Sequence, residues 1–455
     1  EERKTDSAAP AWVPDEEVME CQACLRPFTV VFRRHHCRGC GKIFCKVCSK
    51  QKCLLPPTFG FTDGPERVCD KCSKIFFPYE PLMAVTPNGG KIEFGRVGTG
   101  SQIVLCFHGA PGNYSQAISQ AYMLFETQEL RNTYTIIAPT RPGYGETPSE
   151  MGTSPKEQAN MAIHLLDELG IPRSRNLIVM ALSAGGPVGI EFCLNFPRRV
   201  ACAIFNSCVT HKYWPGQGKG IAAEDSVDGQ SLISKVFLGS STLQKAGIWI
   251  LKKLSITYPS GTRTALRSLL AETSLWEPET IEQHIERIIE NPENVWVLQT
   301  LLYSLGGFDG METDLEQLKN LPDYKFEDIQ VPTLFLHGRN DGDVSLTHAE
   351  SASQRIPNSR LVSLEDTDHM VFLGPEYQNT KDTILKFVQE YPSTIDESFN
   401  ESSAIVMTIP QEIVSDSPSR SLADLALSPS GLDRQSRHNK QLKRAQAKLE
   451  QVEDE

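Results

Sequence analysis

The sequence predicts a multidomain chain. A small cysteine-held module is followed by an α/β domain with a mostly parallel sheet, helices on both faces and a helical cap, and then by a polar tail. Three observations carry this. Eight cysteines fall in four C-x2-C pairs between Cys21 and Cys72. From Lys91 to about Tyr391 short apolar runs alternate with helix-like segments. After Pro392 the chain turns rich in Ser, Asp, Glu and Pro, with few aromatics. A length of 455 residues is more than one core commonly holds, which agrees with several domains.

Residues 1–11 are polar and read as a flexible N-terminus, and residues 12–78 as the cysteine module. Its spacing is C-x2-C-x12-C-x2-C-x4-C-x2-C-x20-C-x2-C. Thiolates are soft ligands and four of them hold zinc tetrahedrally, so four pairs predict two closed structural sites. A disulfide scaffold is the alternative. It is disfavoured because the sequence has no secretory apolar segment and no run long enough to span a bilayer. Thiolate-bound zinc fits a reducing, cytoplasmic setting. The chain begins at Glu1 without methionine, which leaves room for an upstream segment. Its net charge is −12, against nucleic-acid binding. Yet between Glu20 and Glu80 eleven Lys and Arg face five acids, so a basic module sits on an acidic body. That asymmetry predicts one local contact with an anionic partner such as a phosphorylated lipid surface.

Trp12-Val13-Pro14-Asp15, then Arg33-Arg34-His35-His36-Cys37-Arg38, then Arg67-Val68-Cys69 resemble the three signature motifs of FYVE zinc fingers. The resemblance covers about residues 12–77. It implies interleaved zinc sites, with Cys21, Cys24, Cys45 and Cys48 on one ion and Cys37, Cys40, Cys69 and Cys72 on the other. It also implies binding of phosphatidylinositol 3-phosphate and residence on early endosomal membranes. The residue chemistry agrees. Arg33, Arg34, Arg38 and Arg67 offer charge-assisted hydrogen bonds to phosphates, and His35 and His36 donate best when protonated. Asp15 accepts from inositol hydroxyls. Phe28, Val30, Val31 and Phe32 occupy the position of the family's bilayer-dipping loop, with Val30 and Val31 expected to insert. A single such loop is a weak anchor, so a second contact or a homodimer is expected.

A Pro-containing stretch from Pro78 to Pro87 reads as a linker. The second domain is expected over residues 82–392, with strands near 91–97, 102–107, 135–139, 176–182, 200–206, 332–337 and 360–364. Near-continuous apolar runs suit a parallel sheet covered on both faces. Helices are expected near 156–169 and 185–195. Between about 209 and 328 the β/α rhythm breaks and helix-like segments such as 246–254 and 281–289 predict a cap. Gly247-Ile248-Trp249-Ile250-Leu251 reads as a packed cap helix. Cys106, Cys193, Cys202 and Cys208 read as buried thiols. Residues 393–455 are expected to be disordered, with a short charged helix at 434–452 and a partner-binding role for the tail.

Leu182-Ser183-Ala184-Gly185-Gly186 follows an apolar strand and opens a helix-like run, the context of a nucleophile elbow, with Ala181 in place of the usual first glycine. Asp341 and His369 each follow a later strand. This Ser, Asp, His order resembles α/β-hydrolases over about residues 82–391, and Phe107-His108-Gly109-Ala110-Pro111-Gly112 and Arg141-Pro142-Gly143-Tyr144-Gly145 resemble further family loops. The resemblance implies Ser183 as nucleophile, His369 as base, Asp341 as its orienting acid, and an oxyanion hole from the Ala110 and Ala184 amides. Asp343 and His348 are the rivals for the acid and base roles, with Asp343 also readable as a turn residue and His348 as a helix-surface residue. Other histidines, including His337, read as structural or surface residues.

Together these readings predict a peripheral-membrane serine hydrolase of a carboxylic ester, with a lipid as the suggested substrate and no cofactor for catalysis. The alternatives are a lipid-binding adaptor with an inactive hydrolase fold and a peptidase of the prolyl-aminopeptidase type.

Overall fold

The computed structural model describes residues 10–61, 64–222, 259–304 and 309–394. The α/β domain holds an eight-stranded sheet: β1 Leu82–Val85, β2 Lys91–Val97, β3 Gln102–Phe107, β4 Tyr134–Pro139, β5 Leu177–Leu182, β6 Val200–Asn206, β7 Thr333–Gly338 and β8 Ser359–Leu364. The spatial order is β8-β7-β6-β5-β3-β4-β2-β1. β3 pairs in parallel with β4 and β5, and the parallel ladder continues through β6, β7 and β8. β2 is antiparallel to β4, and β1 to β2.

Alternating side chains of one strand face opposite layers. Ile103, Leu105 and Phe107 pack in one core with Val179, Ala181, Phe205 and Phe335. Val104 and Cys106 pack in the other with Ile178, Met180, Ile204 and Leu336. Helices α3 Pro155–Glu168 and α4 Gly186–Asn195 cover the first face through Leu165, Leu166, Val188 and Phe192. α1 Tyr114–Gln120 and α10 Tyr377–Glu390 cover the second through Ile118, Ile384 and Phe387, and the short α2 Gln128–Thr133 leads directly into β4. α3 starts at a capping box in which Ser154 and Glu157 satisfy each other's backbone amides. All four remaining α/β-domain cysteines are buried thiols, as expected.

Helices α5 Pro259–Thr273, α6 Pro278–Glu290, α7 Pro292–Ser304 and α8 Asp309–Lys319 lie between β6 and β7, where the cap is expected. Leu266, Leu270, Ile281, Ile285, Ile288 and Leu298 form a small core of their own. The expected helix at 246–254, the disordered tail beyond 394 and the charged helix at 434–452 lie outside the described residues. Among the described residues no helix is long and apolar enough to cross a membrane.

Two details differ from the sequence reading. The stretch from Pro78 to Pro87 is not a plain linker, because residues 82–85 form β1 on the sheet edge. Four residues flanked by prolines carry too little periodicity to read as a strand, but β2 supplies the partner. The domain also continues past 392. Ser393 donates from Oγ to Asn176 O at 2.6 Å, and its amide donates to Gln102 Oε1 at 2.8 Å.

The cysteine module packs against the α/β domain rather than hanging from it. Leu54 and Phe77 share the second core with Tyr122, Trp296 and Leu301. Phe77 meets Trp296 edge-on, centroids 5.8 Å apart, and Arg131 lies 5.2 Å over the Phe76 ring. Tyr114 Oη donates to Tyr79 O at 3.2 Å.

Candidate active site and zinc centres

All parallel strands end on one edge of the sheet, and there the chain collects Ser183, Asp341 and His369, after β5, β7 and β8. Ser183 opens a single 3-10 turn, residues 183–185, between β5 and α4. Its φ of 51° lies in the left-handed region, which costs a non-glycine residue about 1–2 kcal/mol and marks a sharp strand-to-helix turn. Close approach explains the small neighbours. A Cβ on Gly109 would lie 2.9 Å from Ser183 Cβ, and one on Gly185 would lie 2.6 Å from His108 O. The turn therefore sits against the loop that carries Ala110. Among the described residues, neither Ala110 nor Ala184 donates its amide to the backbone of the surrounding loops.

Asp341 and His369 meet directly, with 2.8 Å between Nδ1 and Asp341 Oδ2. Asp341 is held on every side. Its Oδ1 accepts from the amides of Asp343 and Val344 at 3.0 and 2.9 Å. Its Oδ2 also faces His337 Nε2 at 3.2 Å, and the same nitrogen donates to Val344 O at 2.9 Å. His337 is thus a partner of the carboxylate, a role its sequence did not suggest. Only the i, i+4 spacing across a strand end hinted at it. Burial alone would raise the Asp341 carboxyl, yet the His369 and His337 imidazoles hold it well below the usual carboxylate range. Burial likewise opposes charge on His369, but Asp341, Asp343 and Asp368 push it up to about 9.

Among the described residues no hydrogen bond joins Ser183 Oγ to His369. The carboxylate facing the outer ring nitrogen is Asp343, with Oδ2 3.8 Å from Nε2. Asp343 is a turn residue, as expected, but its side chain points into the site. His348 is not on a helix surface. It is fully buried on α9, Thr347–Arg355, because that helix packs its His348, Ala349 and Ala352 face inward. Its ring stacks on His211 at 3.6 Å, and its Nδ1 accepts from the Thr210 amide at 3.0 Å. Burial, aided by His211, pushes it down to about 2.

The cap is tied to this edge. The Asp341 loop pairs with the end of α5, where Leu275 N donates to Asn340 O at 2.9 Å and Gly342 N to Thr273 O at 2.8 Å. Arg141, on the loop after β4, forms a bidentate pair with Asp314 of α8 at 2.8 and 2.6 Å, and Tyr144 Oη donates to Asp314 at 2.7 Å. Arg141 Nη2 also donates to Gly109 O at 3.1 Å. Its amide donates to His108 Nε2 at 2.8 Å, which fixes His108 as the neutral Nδ1–H tautomer donating to Gly109 O at 2.7 Å. One buried ion pair thus links a cap helix to the loop beside Ser183.

In the cysteine module the two expected groups come together. Cys21, Cys24, Cys45 and Cys48 form one cluster, and Cys37, Cys40, Cys69 and Cys72 the other, with ligand atoms within 4.8 Å of one another. Four thiolates at zinc distance sit about 3.8 Å apart, so the donor sets fit structural zinc. Every cysteine is free of a disulfide. Amides of Cys45 and Cys69 donate to Cys21 Sγ and Cys37 Sγ at 3.3 and 3.1 Å, orienting the ligands as outer-shell bonds do.

The basic run lies on a short hairpin, residues 35–36 against 43–44. Trp12 stacks on His36 at 4.4 Å, Arg38 lies 5.3 Å over Trp12, and His36 Nε2 reaches Val13 O at 2.8 Å and Asp15 at 3.8 Å. Arg67 donates to Ser49 O and Arg38 pairs with Glu66 at 3.3 Å. Burial and then Arg67, Arg38, Lys46 and Arg33 push His35 down. Arg34 is occupied by Val18 O at 2.8 Å and the Phe28 ring, and Arg33 by Val30 O at 3.3 Å. Arg26 over Phe32, Phe32 on Phe28 and Arg34 over Phe28 make one stack beneath the loop tip. Above it Val30 and Val31 are 89% and 88% exposed.

Comparisons agree with this architecture. A FYVE zinc finger family model matches residues 11–77, and an alpha/beta hydrolase fold model matches residues 102–375. The chain is 27% identical over 308 residues to "Uncharacterized hydrolase YcgS" of Bacillus subtilis (strain 168), spanning 68% of this chain and 98% of that protein. It is 44% identical over 85 residues to "Lateral signaling target protein 2" of Caenorhabditis elegans, 18% of this chain and only 13% of that protein. Among solved structures, an alpha/beta hydrolase fold protein from Nakamurella multipartita superposes with a TM-score of 0.57 at 24% identity, covering 68% of this chain and 99% of its own. The chain belongs to the alpha/beta hydrolase fold family and carries a double-zinc FYVE finger ahead of that domain.

Proposed function

We propose that this protein is a serine hydrolase of carboxylic esters, lipids among them, brought to early endosomal membranes by a finger that binds phosphatidylinositol 3-phosphate. The observation that carries the catalytic part is the buried 2.8 Å contact between His369 Nδ1 and Asp341, on the same sheet edge as a serine held at φ 51°. In the proposed reaction His369 Nε2 takes the Ser183 proton as Oγ attacks the ester carbonyl. The amides of Ala110 and Ala184 receive the oxyanion, each donor contributing about 3 kcal/mol. Collapse expels the alcohol with the proton from Nε2, and water then reverses the steps on the acyl-enzyme. The missing Ser183–His369 hydrogen bond favours the inactive-adaptor reading. Such bonds often tighten only when substrate is bound.

A fluorophosphonate probe separates the two. Labelling of wild type that is lost in Ser183→Ala supports the hydrolase, whereas a folded wild type that never labels leaves the adaptor.

For the membrane, Arg33, Arg34, His35, His36, Arg38 and Arg67 are proposed to receive the phosphates, Asp15 an inositol hydroxyl, and Val30 and Val31 the bilayer interior. Replacing either valine with glutamate is expected to weaken sedimentation with vesicles containing phosphatidylinositol 3-phosphate by about tenfold or more, the scale of one buried valine side chain. Binding unchanged in both variants would show that the loop stays in water.

A further inference from the structure

His369 has a carboxylate at each ring nitrogen. Asp341 occupies Nδ1 at 2.8 Å, and Asp343 Oδ2 stands 3.8 Å from Nε2. Asp343 is held in this place. Tyr213 Oη donates to its Oδ1 at 2.5 Å, its amide donates to Asp341 at 3.0 Å, and its carbonyl accepts from Gly218 N at 3.3 Å. Tyr213 is buried, and its amide donates to Leu318 O at 2.9 Å on α8. Both the Asp341 loop and the cap therefore fix the second carboxylate.

Nε2 is the atom that must be bare to accept the serine proton. We propose that Asp343 is a positioning residue of the active site: its carboxylate, held by Tyr213 and the Asp341 loop, faces Nε2 of His369 and governs when that nitrogen gives up its proton and becomes a base. This rests on the reading of Ser183, Asp341 and His369 as a triad. The step is a simple ionisation. The proton on Nε2 leaves for solvent, and the freed lone pair turns to Ser183 Oγ.

The rest of the surroundings is also acidic. Asp368, next in sequence to His369, is buried and accepts from Thr273 Oγ1 at 3.2 Å and from Met370 N at 3.1 Å. Burial pushes it up to about 6, so above that pH it adds a third negative charge. His337 faces Asp341, Tyr213 faces Asp343, and His348 and Glu272 lie beyond these two. Among the described residues no lysine or arginine pairs with Asp341, Asp343 or Asp368.

The test uses the full chain. Imidazole 15N shifts of His369, assigned with His369→Gln, are followed against pH in wild type and in Asp343→Asn, whose Oδ1 still accepts from Tyr213. The wild-type midpoint is expected near 9. In Asp343→Asn it falls by about one unit or more, which raises the fluorophosphonate labelling rate at pH 7 about tenfold, and Asp343→Glu restores the wild-type profile. A wild-type midpoint below 7, or a midpoint that Asp343→Asn does not move, overturns the proposal, and the first of these needs no variant to fold. If the midpoint shifts but Ser183 never labels at any pH, Asp343 still governs His369 and it is the triad reading that fails.

Discussion

Chelating the zinc ions is expected to unfold residues 11–77 and also to lower the melting temperature of the hydrolase domain. Structural zinc contributes about 10–16 kcal/mol of binding free energy to a small finger, more than such a module gains from its own core. Five of the finger's buried core residues are ligands themselves, Cys21, Cys37, Cys45, Cys69 and Cys72, with Phe44, Cys53, Leu55, Phe59, Val68 and Phe76 around them. Losing the ions removes the frame that holds Leu54 and Phe77 against Trp296 on α7. Exposing two large apolar side chains costs roughly 1.5–3 kcal/mol each, on the order of 10 °C in a domain of this size. Calorimetry with and without a chelator reads both transitions. A hydrolase transition that stays put while the finger melts would mean that the two parts are merely tethered. A coupled shift would mean that the finger stabilises the cap helix it touches.

That junction marks the limit of what the sequence discloses. Phe77 and Trp296 each look like an ordinary core residue, and nothing local says that they meet. The sheet was legible because runs such as Leu177 to Leu182 are apolar at both alternating sets of positions, which only a doubly covered strand requires. The edge strand at 82–85 was not, since four residues between prolines carry no period. The eight zinc ligands were legible from spacing, and their pairing only from a family resemblance. For the hydrolase site, chain order after strands pointed to Ser183, Asp341 and His369. Asp343 was legible only as a rival to Asp341, and His337 and Asp314 were not legible in their roles, because those roles depend on loops and helices brought together by the fold. Arg141 and Asp314, 173 residues apart, are the extreme case.

Replacing Asp341 with asparagine is expected to lower kcat by about 10⁴ with the fold intact, under the proposed mechanism. The argument follows from the hydrogen bonds around the carboxylate. Oδ1 accepts from two amides, Asp343 N and Val344 N, so an asparagine must keep its carbonyl oxygen there. Its NH2 is then forced to the Oδ2 position, facing His369 Nδ1 and His337 Nε2. His369 Nδ1 can only accept from that group, which drives the ring proton to Nε2. A protonated Nε2 has no lone pair for the Ser183 proton, so the base is blocked by tautomer rather than by distance. The variant also loses the charge that, against burial, keeps His369 protonated up to about 9, so the midpoint of His369 must fall even as activity collapses. A merely structural aspartate would not give that combination. A kcat within tenfold of wild type, measured on a soluble ester across pH 6–10, would remove Asp341 from the mechanism and leave Asp343 as the carboxylate that serves His369.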